Sequence, residues 1–198
     1  MKTKKNNSLR VAASVGLLVT LLAVVCCKTK DGSQSDNSPS GTQTETNPPK
    51  IDIHTAVLTN NQEALQQHID AGSNLNEKDP FGGSSPLITA SLFDKKDIAK
   101  MLIDAGADVN FQNNDGSTAL HVAAFFCRPE IVKMLLDKGA DKTIKNKFGS
   151  TAYESVTPPF AEAKNAYDMM GKMLAPMGLK LDYVYLEKTR PVIAAMLK

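Results

Sequence analysis

From Ile51 onward the apolar residues fall three and four positions apart, the spacing of helices with one buried face. Before Ile51 there is one almost unbroken apolar run, Val11 to Val25, followed by a stretch with no large apolar residue. Within the periodic part, Thr118 is placed to cap a short helix over Ala119–Phe126. A second helix is predicted from about Pro129 to Lys138, with Ile131, Val132, Leu135 and Leu136 on one face. Pro129 suits its first turn and Gly139 its stop. The pattern then repeats. GSSPLITASLFDKKDIAKMLIDAGADVNFQ (Gly83–Gln112) returns 33 residues later as GSTALHVAAFFCRPEIVKMLLDKGADKTIK (Gly116–Lys145). A period of that size marks stacked units, because two short helices cannot bury their apolar faces alone and neighbours must do it for them.

The segments GSTALHVAA, IVKMLLDKGAD and GADVN resemble the ankyrin repeat, whose pattern is G-x-T-P-L-H-x-A-A, an apolar second helix, then G-A-D-V-N. The resemblance implies an all-α ankyrin-repeat solenoid of about four stacked helix-turn-helix units, spanning 51–188, plus a C-terminal capping helix over 189–198. The units fall at 51–79, 80–112, 113–145 and 146–188. The first lacks a leading hairpin and reads as the N-terminal cap. In the last, Thr157-Pro158-Pro159-Phe160 stands where the inter-helix turn belongs, and a long second helix is expected over about Ala161–Leu174. The final helix is expected from about Arg190, capped by Thr189. Covering the end of the stack is one role for this tail; a separate binding element is the other.

The segment 1–27 has the layout of an export signal: Lys2, Lys4, Lys5 and Arg10, then the apolar run, then Cys26 and Cys27. At 15 to 17 residues the run is shorter than the roughly 20 that a membrane span requires. It resembles a bacterial lipoprotein signal, in which a cysteine after a small residue becomes the lipidated N-terminus. Cys27, preceded by the small Cys26, fits this better than Cys26, which follows Val25; an ordinary signal peptide ending in cysteines is the alternative. Residues 28–50 contain no Val, Ile, Leu, Met or aromatic residue and read as a disordered polar tether. As a coil such a tether spans about 25 Å. The formal charge of +2 belongs to the signal. Without residues 1–26 the chain has 19 basic against 21 acidic residues, so charge gives no argument for nucleic acid.

Candidate chemistry is sparse. Of the three histidines, His121 is the H of the T-P-L-H-like motif, which the family uses to bond neighbouring loops. His54 stands at a similar place in the cap, and His68 lies in a second helix. No pair has zinc-site spacing and no cysteine joins them. Asp70, Asp104 and Asp137 recur at one position near a helix end, which marks a structural register and not an acid–base pair. The turn glycines lack the context of a phosphate loop. No catalytic residue, cofactor or metal is expected. Cys127 falls where the family has glycine after the first helix; it reads as a small semi-buried residue, with a redox-sensing thiol as the rival.

In ankyrin repeats the contact residues lie on the hairpin tips and on the last two positions of each first helix. Carried over, those positions are Leu58 and Thr59, Leu92 and Phe93, Phe125 and Phe126, and Pro158 and Pro159, with Phe81 and Phe148 on hairpin tips. Apolar residues at such places are expected to anchor an unidentified protein partner. The sequence therefore points to a binding module of the bacterial cell envelope, held to a membrane by its N-terminal lipid. An inhibitor or immunity-type protein and a scaffold for an envelope enzyme are the two roles in view. The alternative class is a surface-exposed structural or host-contact lipoprotein.

Overall fold

The computed structural model of the protein describes residues 50–198. The signal-like segment, Cys26, Cys27 and all but the end of the tether lie outside the described residues.

Among the described residues eight α-helices follow in order: α1 (Ile53–Leu58), α2 (Gln62–Asp70), α3 (Pro86–Leu92), α4 (Lys96–Asp104), α5 (Ala119–Phe125), α6 (Pro129–Asp137), α7 (Phe160–Leu174) and α8 (Tyr183–Leu197). The first six form three antiparallel pairs. Short first helices stack as α1–α3–α5, and second helices as α2–α4–α6. Each first helix starts where a short polar side chain takes an orphan N–H of its first turn. Asp52 accepts from Thr55 N, Ser85 from Ile88 N and Thr118 from His121 N. Ala56, Ala90 and Ala123 are fully buried along the stack. Their small side chains permit close approach, while Leu65, Leu87, Ile98, Leu102, Leu120, Ile131 and Leu135 fill the space between pairs.

Hydrogen bonds tie each unit to the next. Three hairpins project from the stack, closed by Asp79 N–Ser84 O, Asn113 N–Ser117 O and Asn146 N–Ser150 O. Asn114 N donates to Gly82 O (3.0 Å) and Lys147 N to Asp115 O (2.8 Å), so the hairpins join edge to edge. The asparagines of the G-A-D-V-N-like turns do the same: Asn76 Oδ1 accepts from Asp108 N, and Asn110 Oδ1 from Asp141 N. Gly116 permits this approach. Its φ is +72°, and a Cβ there would stand 3.3 Å from Lys147 N.

The fourth unit departs from the others. Thr151 and Glu154 exchange the reciprocal bonds of a helix start (2.8 and 3.2 Å), but the chain makes only a turn over 152–156. Pro158 and Pro159 end it, because each removes an N–H and the residue before a proline avoids helical backbone. A long helix, α7, follows, close to its expected span.

The last helix differs from expectation. It begins at Tyr183, with Asp182 Oδ1 accepting from Tyr185 N, and not at Arg190 behind a Thr189 cap. Pro191 lies inside α8 on an exposed face, where water can take the carbonyl it leaves unpaired. Leu186, Arg190, Ile193 and Leu197 form the buried stripe of α8, which packs on α5 and α6 and covers that end of the stack.

Candidate functional site

Phe81 (91% exposed) and Phe148 (76% exposed) stand out from the hairpins. Backbone geometry presents them: Asp79 Oδ1 accepts from Phe81 N and Gly82 N, and Asn146 Oδ1 accepts from Phe148 N. The two rings are not on adjacent tips, since the Asn113–Ser117 hairpin lies between them. Two interaxial spacings put them roughly 20 Å apart.

At the ends of the first helices the stripe divides. Leu58, Leu92 and Phe93 are part-exposed and lie outside the packed core, with exposed Thr59 beside them. Phe125 and Phe126 are taken up by the protein itself. Phe126 is 1% exposed, which corrects its assignment to the binding surface: at the C-cap of α5 its ring turns inward, edge-on to Phe125. Phe125 is half-buried beneath Tyr167, whose ring stacks on it at 4.4 Å. Phe160 also stacks on Tyr167, at 5.7 Å. Pro158 and Pro159 are exposed, but they belong to the strand of chain that carries α7 across, and the Pro158 carbonyl is spent on Arg190.

Tyr167 is the one buried residue of the fifteen in α7. Its hydroxyl donates to Phe125 O (2.6 Å) and accepts from Arg190 Nη1 (2.9 Å). Burial pushes this phenol up to about 12 despite the guanidinium beside it. Arg190 is 3% exposed and is held by neutral acceptors only: Tyr167 Oη, Pro158 O and Ser155 O. Removing a cation from water costs several kcal/mol unless it is well bonded, so this network is an expensive feature. Sequence reasoning missed both residues. Tyr167 carried a weak signal, seven positions from Phe160 on one helical face; Arg190 carried none.

The remaining candidates are structural. Cys127 has φ +55°, matching Asn60 (+56°) and Asp94 (+53°) at the same turn of the other units, so the turn keeps its shape despite the Cβ. The thiol is buried, which pushes it up to about 11, and its Sγ approaches Leu186 O. It is no thiolate at neutral pH. His121 Nδ1 accepts from Thr118 N, leaving Nε2–H to donate to Ser150 O (3.1 Å) in the next hairpin. Burial lowers its pKa. His68 joins Ser73 and Ile51 O, fastening the start of the cap. His54 does not share the role of His121; Asp52 and Thr55 make that cap, and both its ring nitrogens are buried without a partner among the described residues. Among the described residues no group of His, Cys, Asp and Glu is placed to hold a metal.

Residues 53–146 match the model of a family described as ankyrin repeats, in three copies. Among solved structures, the ankyrin-repeat domain of Bcl-3, a member of the IkappaB protein family, is similar at 34% identity and a TM-score of 0.51. The match covers 52% of this chain and 45% of that one, so the chain spans less than half the length of that relative. In all, 455 solved chains match, so the likeness selects an architecture and no single partner. No curated protein matches the chain. The fold is an ankyrin-repeat solenoid with a C-terminal helix.

Proposed function

We propose that the protein is a recognition module that captures a protein partner through its hairpin tips and the open part of its groove. Ankyrin repeats mediate protein–protein interaction as a rule, and here one observation carries the specific reading. Phe81, Phe148, Leu92 and Phe93 are left exposed or part-exposed at positions the stack does not need, while the equivalent Phe125 and Phe126 are covered. Aromatic anchors on a pre-ordered backbone lose little entropy on docking. The groove of the third unit is closed by Tyr167 of α7 over Phe125, so the partner is expected over the groove of the first two units and the hairpin tips.

The site of action is proposed to be a bacterial envelope membrane, with the protein held by a lipid on Cys27 and acting as an inhibitor, an immunity-type protein or a scaffold. The layout of residues 1–27 and the polar stretch behind it support this. Metabolic labelling with a fatty acid tests the anchor: label is expected on the parent and on Cys26→Ser, and lost in Cys27→Ser. For the groove, a Phe81→Ala/Phe93→Ala protein should fold normally and lose its partner. Equal capture by parent and double variant would refute the reading.

A further inference from the structure

Between the chain from Tyr153 to Phe160 and helix α8 lies a cleft of about 410 Å³. It exists because the fourth unit makes a turn where its first helix would stand. Val156, Phe160, Pro191 and Ala195 give it apolar walls, and Arg190 lines it. Exposed Glu187 and Lys198 also border it, with opposite side-chain charges.

Arg190 is the unusual part. A guanidinium has five N–H donors. Hydrogen bonds to Tyr167 Oη, Pro158 O and Ser155 O account for three. Arg190 forms no ion pair among the described residues, although every other feature of its surroundings is that of a buried group. A cation fixed in place, without a counter-charge, with donors to spare and beside an apolar cleft, is the arrangement that recognises a carboxylate carried on an apolar body. A merely structural role in holding α7 would be served by an uncharged donor.

We propose that this cleft binds a carboxylate ligand, a short apolar acid or the apolar C-terminus of a polypeptide, with Arg190 on the carboxylate and Val156, Phe160 and Ala195 against the chain behind it. The site is separate from the hairpin surface and stands whether or not that surface binds a partner.

The test is an NMR titration of the isotope-labelled full-length protein, following the Arg190 Nε–H and the Ala195 methyl. Hexanoate and a tetrapeptide ending in leucine with a free carboxylate are the two acid probes; hexanamide and the same peptide amidated are their controls. Saturable shifts with at least one acid, and binding weaker by roughly tenfold or more for its amide, are expected. The acid that saturates at the lower concentration identifies the source of the carboxylate. Arg190→Lys should weaken acid binding, but it also disturbs Tyr167, so the deciding variant is Ala195→Trp, which fills the cleft and leaves Arg190 in place. Its folded spectrum should persist while the acid shifts vanish. Equal binding of acid and amide, undiminished binding by Ala195→Trp, or no shift with either acid at millimolar concentration overturns the proposal.

Discussion

Tyr167 stacks on the ring of Phe125 at 4.4 Å and donates its hydroxyl to the carbonyl oxygen of the same residue at 2.6 Å. One side chain thus covers Phe125 and also bonds the last carbonyl of the helix that presents it. The rest of α7 adds less: Phe160 and Ala163 are part-buried against the core, none of its other residues is buried, and Met169 and Met173 face solvent.

Tyr167→Ala is therefore expected to cost about 3–5 kcal/mol, the usual range for emptying a buried aromatic site. Tyr167→Phe keeps the stacking but strands the Phe125 carbonyl and one Arg190 donor, at about 1–3 kcal/mol. Urea unfolding gives both values. In the alanine variant, limited proteolysis should cut first within Phe160–Leu174, because that helix has one fully buried residue.

Phe126 and Phe81 make a contrasting pair. Phe126→Ala empties a buried site and should destabilise by about 3–5 kcal/mol. Phe81→Ala removes an exposed ring and should stay within about 0.5 kcal/mol of the parent. Similar losses for both would contradict the division of the aromatics between scaffold and surface.

The buried imidazole of His121 gives the fold a sensitivity to mild acid. Burial lowers its pKa in the folded state, so it stays neutral there while an unfolded chain takes up a proton below the ordinary value of 6.5. Stability from this source is complete above 6.5 and lost as the pH falls through and below that value. Asp79, whose burial pushes its carboxyl up but whose three backbone donors together outweigh that and hold it below the usual range, acts only nearer pH 4. The unfolding midpoint of the parent should fall between pH 7 and pH 5. His121→Gln should lower the midpoint at pH 7 and make this part of the curve flatter.

Cys127 should resist alkylation. With its thiol raised to about 11 and buried, peptide mapping after iodoacetamide at pH 8 should find it unmodified in the native protein and fully modified in urea. Rapid native modification would restore the redox reading.

The stack was legible because its signals are local. A capping residue, an alanine at the crossing point and a glycine at the helix end act within a few residues of themselves, and each recurs. The turn after each first helix was legible to within one residue: the repeat leaves Asn60 or Asn61 beside Asp94 and Cys127, and Asn60 is the one that shares their backbone conformation. The final helix was misplaced because Thr189 reads as a cap, whereas Asp182 makes the cap seven residues earlier and Thr189 lies inside the helix. The closure of the groove was not legible, since Tyr167 meets Phe125 across 42 residues and the meeting depends on how the chain bends at Pro158 and Pro159. Nor was Arg190, whose bonding partners are two carbonyls and a phenol set by that same bend.

The most direct measurement of the central claim is site-specific photocrosslinking in the cell that makes the protein. A photoreactive residue is placed in turn at Phe81, Phe93 and Phe148, and at Gln66 and Lys133 on the exposed faces of the second helices. The account predicts one discrete protein adduct, shared by the first three positions and absent from the last two. Adducts from Gln66 or Lys133, with none from the hairpin and groove positions, would contradict it.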